Sequence, residues 1–228
     1  RALGSFDTLK RETGLPNSAH FMAVAGAFDY ANAAVIRVPK DAVEGNSIED
    51  HSRYIVDNLA SLVALRCGTL VLFSSRRQME GVFDELSNDL QKQILIQGQY
   101  SNREMIRLHK ERIDQGKTSV LLGLASFAEG VDLPGDYCRH VVIAKLPFAV
   151  PDEPLQEALA EWIEDRGGNS FFDISLPVAS LRLIQACGRL LRTESDSGTV
   201  TILDKRLITK RYGAQLLNAL PPFRREIG

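Results

Sequence analysis

The chain has 228 residues, 44% of them hydrophobic, enough to bury one full core with at most a small appendage, and disorder is excluded as its main state. Its 27 Lys and Arg against 29 Asp and Glu give a formal charge of -2, which excludes nucleic-acid binding by bulk charge alone and leaves room for a local basic face. No stretch approaches the ~20 apolar residues of a membrane span, and the start at Arg1 lacks a signal-peptide pattern, so a soluble, cytoplasmic protein is expected. The chain does not begin with Met, and a piece of something longer is expected. Cys67, Cys138 and Cys187 show no metal-ligand spacing and read as reduced core residues, and His20, His51, His109 and His140 are scattered, so no metal site is expected.

Residues 1–32 fit no regular pattern and read as the end of a preceding domain plus a connector. From there, short apolar runs alternate with amphipathic segments. Val35–Val38, Leu70–Phe73, Ile94–Ile96, Val120–Leu122, Val141–Ile143 and Val200–Leu203 are nearly pure Val, Ile, Leu or Phe, as strands buried on both faces require. The chain is therefore expected to be α/β, with a mostly parallel sheet and helices on both faces. Between the first two runs, Ser47-Ile-Glu-Asp50 predicts a capped helix start, followed by an apolar stripe of Ile48, Ile55, Leu59, Leu62 and Val63. Leu155, Leu159, Trp162 and Ile163 predict a second core-facing stripe after the Pro-rich loop 146–154.

Three segments carry candidate chemistry. In Gly68-Thr-Leu-Val-Leu-Phe-Ser-Ser-Arg76 a strand runs into a helix start at Ser74 or Ser75, whose hydroxyl could cap the helix or bind a phosphate. In Thr118–Gly135 a strand runs into a loop of small residues that places Glu129, Gly130 and Asp132 at the carboxyl edge of the sheet. In Leu181–Arg192, helical spacing puts Gln185, Gly188, Arg189 and Arg192 on one face and Leu183, Ile184, Cys187, Leu190 and Leu191 on the other. A glycine inside that face costs helix stability and permits close approach, and two guanidiniums with a carboxamide around it suit phosphate oxygens.

Gly116-Lys-Thr118 imitates the end of a P-loop, but Glu111 stands where the pattern needs glycine, and the motif precedes a strand instead of following one. It predicts a helix exit with a glycine stop. No apolar run ends in the paired acids that hold Mg²⁺.

At these residues the chain resembles the carboxy-terminal helicase domain of superfamily 2 DNA helicases in the XPD and DinG branch, and the bacterial DinG group above all. Gln185-Ala-Cys-Gly-Arg-Leu-Leu-Arg192 is similar to motif VI, Ser126–Asp132 to motif V and Leu70–Arg76 to motif IV, with Gln97-Gly98 and Asp204-Lys-Arg-Leu207 as further signatures. The resemblance implies a RecA-like second motor domain over residues 33–228, with 1–32 ending the first motor domain and leading in. It implies that Gln185, Arg189 and Arg192 face the γ-phosphate of ATP as the catalytic set, the arginines serving as fingers. Glu129, Gly130, Asp132 and Gly188 would line the nucleotide side, and Ser74, Ser75, Arg76, Gln97 and Gly98 would hold single-stranded DNA by its phosphates. ATP and Mg²⁺ would be shared with a first motor domain carrying the P-loop, and a [4Fe-4S] cluster would belong to that first half only. The implied protein is a bacterial, cytoplasmic, monomeric 5′–3′ helicase of repair or replication acting on single-stranded, forked or R-loop nucleic acid. The 228 residues alone are expected not to hydrolyse ATP.

The alternative is a non-catalytic module that docks nucleic acid or protein through its basic end. Residues 189–228 hold eight Lys or Arg against four acids, a local +4 that leaves -6 on the remainder. Lys205-Arg206 and Lys210-Arg211 there are either a solvated or a DNA-facing surface. A Rossmann-type site is excluded because Val38-Pro-Lys is no glycine-rich turn.

Overall fold

The computed structural model describes residues 1–16, 18–24, 26, 28–63, 67–148 and 154–228, with backbone alone at positions 12 and 129. In chain order the elements are α1 (Asp7–Thr13), α2 (Tyr30–Ala33), β1 (Ala34–Val38), α3 (Ile48–Val63), β2 (Gly68–Phe73), α4 (Arg76–Glu85), α5 (Asn88–Gln91), β3 (Ile94–Ile96) and α6 (Asn102–Asp114). They continue with β4 (Ser119–Leu124), α7 (Ala125–Glu129), β5 (His140–Ile143), α8 (Pro154–Glu164), α9 (Leu176–Cys187), β6 (Gly198–Ile202), α10 (Arg206–Thr209), α11 (Arg211–Ala219) and β7 (Arg224–Ile227).

The seven strands form one all-parallel sheet in the order β3-β4-β2-β5-β6-β1-β7. Each of the six apolar runs is a strand, and β2 is buried along its whole length because neighbours flank it and helices cover both faces. The seventh strand escaped the hydrophobic pattern: Arg224-Arg-Glu-Ile227 is exposed at every position and pairs on one side only, with β1. Right-handed crossovers put α3 and α4 on one face, where the connections run toward β3, and α6, α7, α9 and α11 on the other, where they run back.

Serines start four helices. Ser47, Ser75, Ser87 and Ser101 each accept the N–H three residues on, satisfying a donor the first helical turn leaves open. Gly116, at φ 70°, follows the end of α6, so the Gly-Lys-Thr segment is the helix exit its context predicts. The three cysteines are free and buried, and burial pushes the Cys138 and Cys187 thiols up to about 12.

Two apolar stripes depart from expectation. In α3, Ile55, Leu59 and Val63 are buried and Leu62 packs against the core, but Ile48, the first helical residue, is 63% exposed. In α8 only Ile163 is buried, while Leu155 is 79% and Trp162 51% exposed. That helix does not lie on the sheet. The crossover from β5 to β6 needs one helix against the sheet, and α9 fills that place, with Leu176, Ala179 and Leu183 fully buried. Of the Pro-rich loop, residues 149–153 lie outside the described residues. The first residues are tied to α9 and the turn before it: Leu3 N–H donates to Ser180 Oγ at 3.3 Å and Arg11 to the Asp173 carbonyl at 2.7 Å.

Candidate functional site

The chain leaves β4 at Leu124 and turns at once into α7, where a loop was expected. By Gly135 it has returned to the opposite edge, because the Gly135 N–H donates to Asp196 Oδ1 at 3.0 Å, two residues before β6 begins. Gly130 to Asp132 therefore lie on the return crossing over the sheet face, not at the carboxyl edge. Gly130 has an ordinary φ of -93° and closes α7. The side chain of Glu129 lies outside the described residues.

On that face the crossing meets the end of α9. The helix stops at Cys187, so Gly188 is its cap and not an interior residue, and Arg189 and Arg192 stand on the turn that follows. A Cβ on Gly188 would make only ordinary contacts of 3.4 Å with its own helix, so nothing among the described residues requires the glycine. Helical spacing does not hold beyond Cys187, where Asp196 instead accepts the backbone N–H groups of Arg192 and Thr193 in a turn. Even so, the two arginines converge: Arg189 Nη1 at 3.2 Å and Arg192 Nη2 at 3.1 Å both donate to the carbonyl of Val131, and Arg192 Nε lies 3.5 Å from Asp132 Oδ1. Gln185 is exposed one turn before them and shares a crevice with Arg182, Arg189, Ala125 and Ala128. Planar guanidiniums side by side match phosphate oxygens.

Two positions missed from the sequence organise this face. Asp196 is 6% exposed and accepts the N–H of Arg192 at 2.6 Å, the N–H and hydroxyl of Thr193 at 2.8 Å each, and the N–H of Gly135. Burial alone would raise its carboxyl, but these donors outweigh it and hold the pKa below the ordinary value. The signal in the sequence was Thr193-x-x-Asp196, a turn-forming pair directly after the arginines. Arg182 is three residues before Gln185 on α9 and reaches the Pro147 carbonyl at 3.4 Å. Extending the basic face one turn upstream would have found it.

The second cluster sits at the carboxyl edge of β2 and β3. Ser75, not Ser74, is the helix cap, its hydroxyl accepting the Gln78 N–H at 3.4 Å, while Ser74 is exposed beside it. Arg76 opens α4, pairs with Glu80 at 3.6 Å and reaches the Gln97 carbonyl at 3.5 Å. Gly98 has a φ of 109°, a backbone conformation that favours glycine, and Arg76 Nη1 lies 3.1 Å from where a Cβ would sit. Gln97 Oε1 accepts the N–H of Leu124 at 2.9 Å, the residue that caps α7. One end of α7 is thus held by the Gln97 cluster, and its other end leads to the carbonyl that both arginines grip.

The basic end resolves mostly into internal pairs. Asp204 is fully buried and accepts backbone N–H groups of Gly45, Leu146 and Arg206, while the Arg206 guanidinium reaches it at 2.6 Å with its side chain 13% exposed. Burial alone would raise the Asp204 carboxyl, but Arg206 outweighs it and lowers the pKa. Lys210 pairs with Glu44 at 2.9 Å, and Lys205 donates to the Lys40 carbonyl at 3.3 Å. Arg206 therefore belongs to neither the solvated nor the DNA-facing surface, because a buried carboxylate two residues away captures it.

Among the described residues no cluster of His, Cys, Asp and Glu could hold a metal ion, and no helix is long and apolar enough to cross a membrane.

The ATP-dependent DNA helicase DinG of Photobacterium profundum is 43% identical over 232 residues, covering 100% of this chain and 33% of the relative. DinG of Escherichia coli (strain K12) is 39% identical over 98% of the chain and 32% of its own length. The chain thus spans about a third of the curated relatives it matches. Among solved structures, one named XPD helicase aligns with a TM-score of 0.61 at 22% identity over 85% of this chain and 36% of that one, and S. tokodaii Xpd4 with 0.62 at 16% over 93% and 41%. They show the RecA-like fold that the motif resemblance implied. Residues 59–223 match the family model described as "Helicase C-terminal domain". The chain belongs to the helicase C-terminal domain family.

Proposed function

We propose that this chain is the second motor domain of an ATP-dependent 5′–3′ DNA helicase, with residues 33–228 forming the domain and 1–32 its link to a first one. The observation that carries the reading is the convergence of Arg189 and Arg192 on the Val131 carbonyl beside Asp132. That geometry holds two guanidiniums on one exposed face, where a facing motor domain would present ATP. The donor set fits a polyphosphate: Gln185, Arg189 and Arg192 offer N–H groups and positive charge, while a P-loop and Mg²⁺-holding acids are missing from the sequence. ATP and Mg²⁺ would come with the first motor domain, as would any iron-sulphur cluster. Bound there, the nucleotide supplies the phosphoanhydride whose hydrolysis drives the motor, and the arginines stabilise negative charge at its phosphates.

The strand-binding surface is the Ser74, Arg76 and Gly98 cluster. The Ser75 hydroxyl and the Gln97 amide oxygen are engaged internally, so these two residues position the surface and offer the strand only their remaining donors. α7 links this surface to the arginine pair through Gln97 at one end and Val131 at the other, a direct route by which nucleic acid would sense the nucleotide. Single-stranded, forked or R-loop DNA in repair or replication, a monomeric state and a bacterial cytoplasm complete the reading.

The deciding experiment is Arg192→Ala in the full-length protein. DNA-stimulated ATP hydrolysis should fall by about 10³-fold with nucleotide binding largely kept. A near-normal rate overturns the arginine assignment.

A further inference from the structure

β3 is an open edge of the sheet, hydrogen-bonded to β4 on one side only. Along it runs a cleft of about 460 Å³, lined by Phe83, Lys92, Gln99, Tyr100 and Arg112 among others. A second hollow of about 510 Å³ shares Lys92 and Arg112 with it and is lined by Lys117 as well. Every charged side chain among the described lining residues is a cation. Lys92 has an exposed partner in Asp89 and Lys117 one in Gln115, but Arg112 Nη1 is buried with no acceptor among the described residues. A buried guanidinium nitrogen without an acceptor is costly, and the charge of Arg112, which lines both hollows, adds to the attraction of an anion to the groove.

The groove begins at the first cluster's own turn. Gln97 and Tyr100 bridge each other across Gly98, which places the 47% exposed Tyr100 ring at the mouth, one turn from Arg76 and Gly98. From this we propose that the β3 edge groove is a second binding site for single-stranded nucleic acid, continuing the strand past the motif IV surface. Tyr100 would stack a base, and Arg112 with Lys117 would hold successive phosphates. Cations, an aromatic and amides without an acid are what a sequence-tolerant strand site needs. Addition of a peptide strand to the β3 edge fits less well, since β3 offers only three residues and a peptide brings no anion for Arg112.

The inference rests on the strand-binding reading above for the strand's path, and fluorescence anisotropy of labelled oligodeoxythymidylate on the 228-residue chain, titrated with KCl, separates the two. Tyr100→Ala should weaken binding about tenfold. Lys117→Gln and Arg112→Gln should each make the salt dependence shallower by about 0.7 in log-log slope. Tyr100 and Lys117 are exposed, so their variants keep the fold should Arg112→Gln disturb it. Wild-type affinity and slope in the Tyr100 and Lys117 variants, with Arg76→Ala still weakening binding, overturn the groove and leave the motif IV surface standing. Loss in the groove variants with none in Arg76→Ala upholds the groove and overturns the motif IV surface. No binding by the wild-type chain overturns both, and capture of an extended peptide without oligonucleotide assigns the edge to strand addition.

Discussion

The carboxylate of Asp196 accepts the backbone N–H of Arg192 at 2.6 Å, and the same group holds Gly135 at 3.0 Å. One buried side chain thus fastens the arginine turn to the end of the crossing that carries Val131 and Asp132. Asp196→Ala leaves several donors without an acceptor and should cost about 3 kcal/mol, read as a lower urea midpoint. An unchanged midpoint would show that water replaces the carboxylate.

Asp204 and Arg206 test the burial of the basic end. Arg206→Met strands a fully buried carboxylate and should destabilise the chain by about 3–5 kcal/mol, whereas Asp204→Asn combined with Arg206→Met should recover part of that loss. A double-mutant cycle of thermal melts measures the coupling, and additive losses would mean that the pair does not act as one unit.

Acid should weaken the fold from about pH 6.5 downward. His109 is fully buried, its Nε2–H donating to the Tyr137 carbonyl at 2.8 Å and its Nδ1 accepting from Ser119 Oγ at 2.9 Å, and burial pushes its pKa down to about 4. His51 and His140 are lowered by burial in the same direction. Between the folded and unfolded values the unfolded chain binds more protons, so stability rises with pH across this window, and His109 alone accounts for about 3 kcal/mol lost by pH 4. Asp196 and Asp204 act lower: their depressed folded values give stability that is present above about 3.9 and lost as pH falls further. Urea midpoints from pH 7.5 to 4.5 should decline in the wild type and flatten in His109→Gln, and parallel curves would exclude His109 as a source.

The α8 stripe separates periodicity from burial. Leu155→Ser and Trp162→Ser should change stability by less than about 0.5 kcal/mol, since both residues are exposed, while Ile163→Ala should cost about 2–5 kcal/mol. Equal losses at all three positions, measured by chemical denaturation, would place the helix against the core in solution.

Six of the seven strands were legible because a strand buried on both faces is written as an unbroken apolar run. β7 was not, because an exposed edge strand needs no apolar residue and Arg224–Glu226 are charged. The arginine pair was legible in composition but not in placement. Helical spacing predicted a shared face for Gln185, Gly188, Arg189 and Arg192, yet the helix ends at Cys187, and it is the Val131 carbonyl, 58 residues from Arg189, that brings the guanidiniums together. Ser75 and Gln97 were expected as site positions from the motif resemblance, but their internal hydrogen bonds were invisible until the strand ends met.

By itself the sequence determined the fold class, six of the strands along the chain and the helix caps, because hydrophobic runs, caps and turn residues act over a few neighbours. Only the tertiary structure decided which apolar stripe was core, that Arg206 turns inward to Asp204, and that Asp196 joins the two halves of the candidate site. Those outcomes depend on which desolvated partner lies across the fold, and the energy of a buried charge or an exposed leucine is set by that partner.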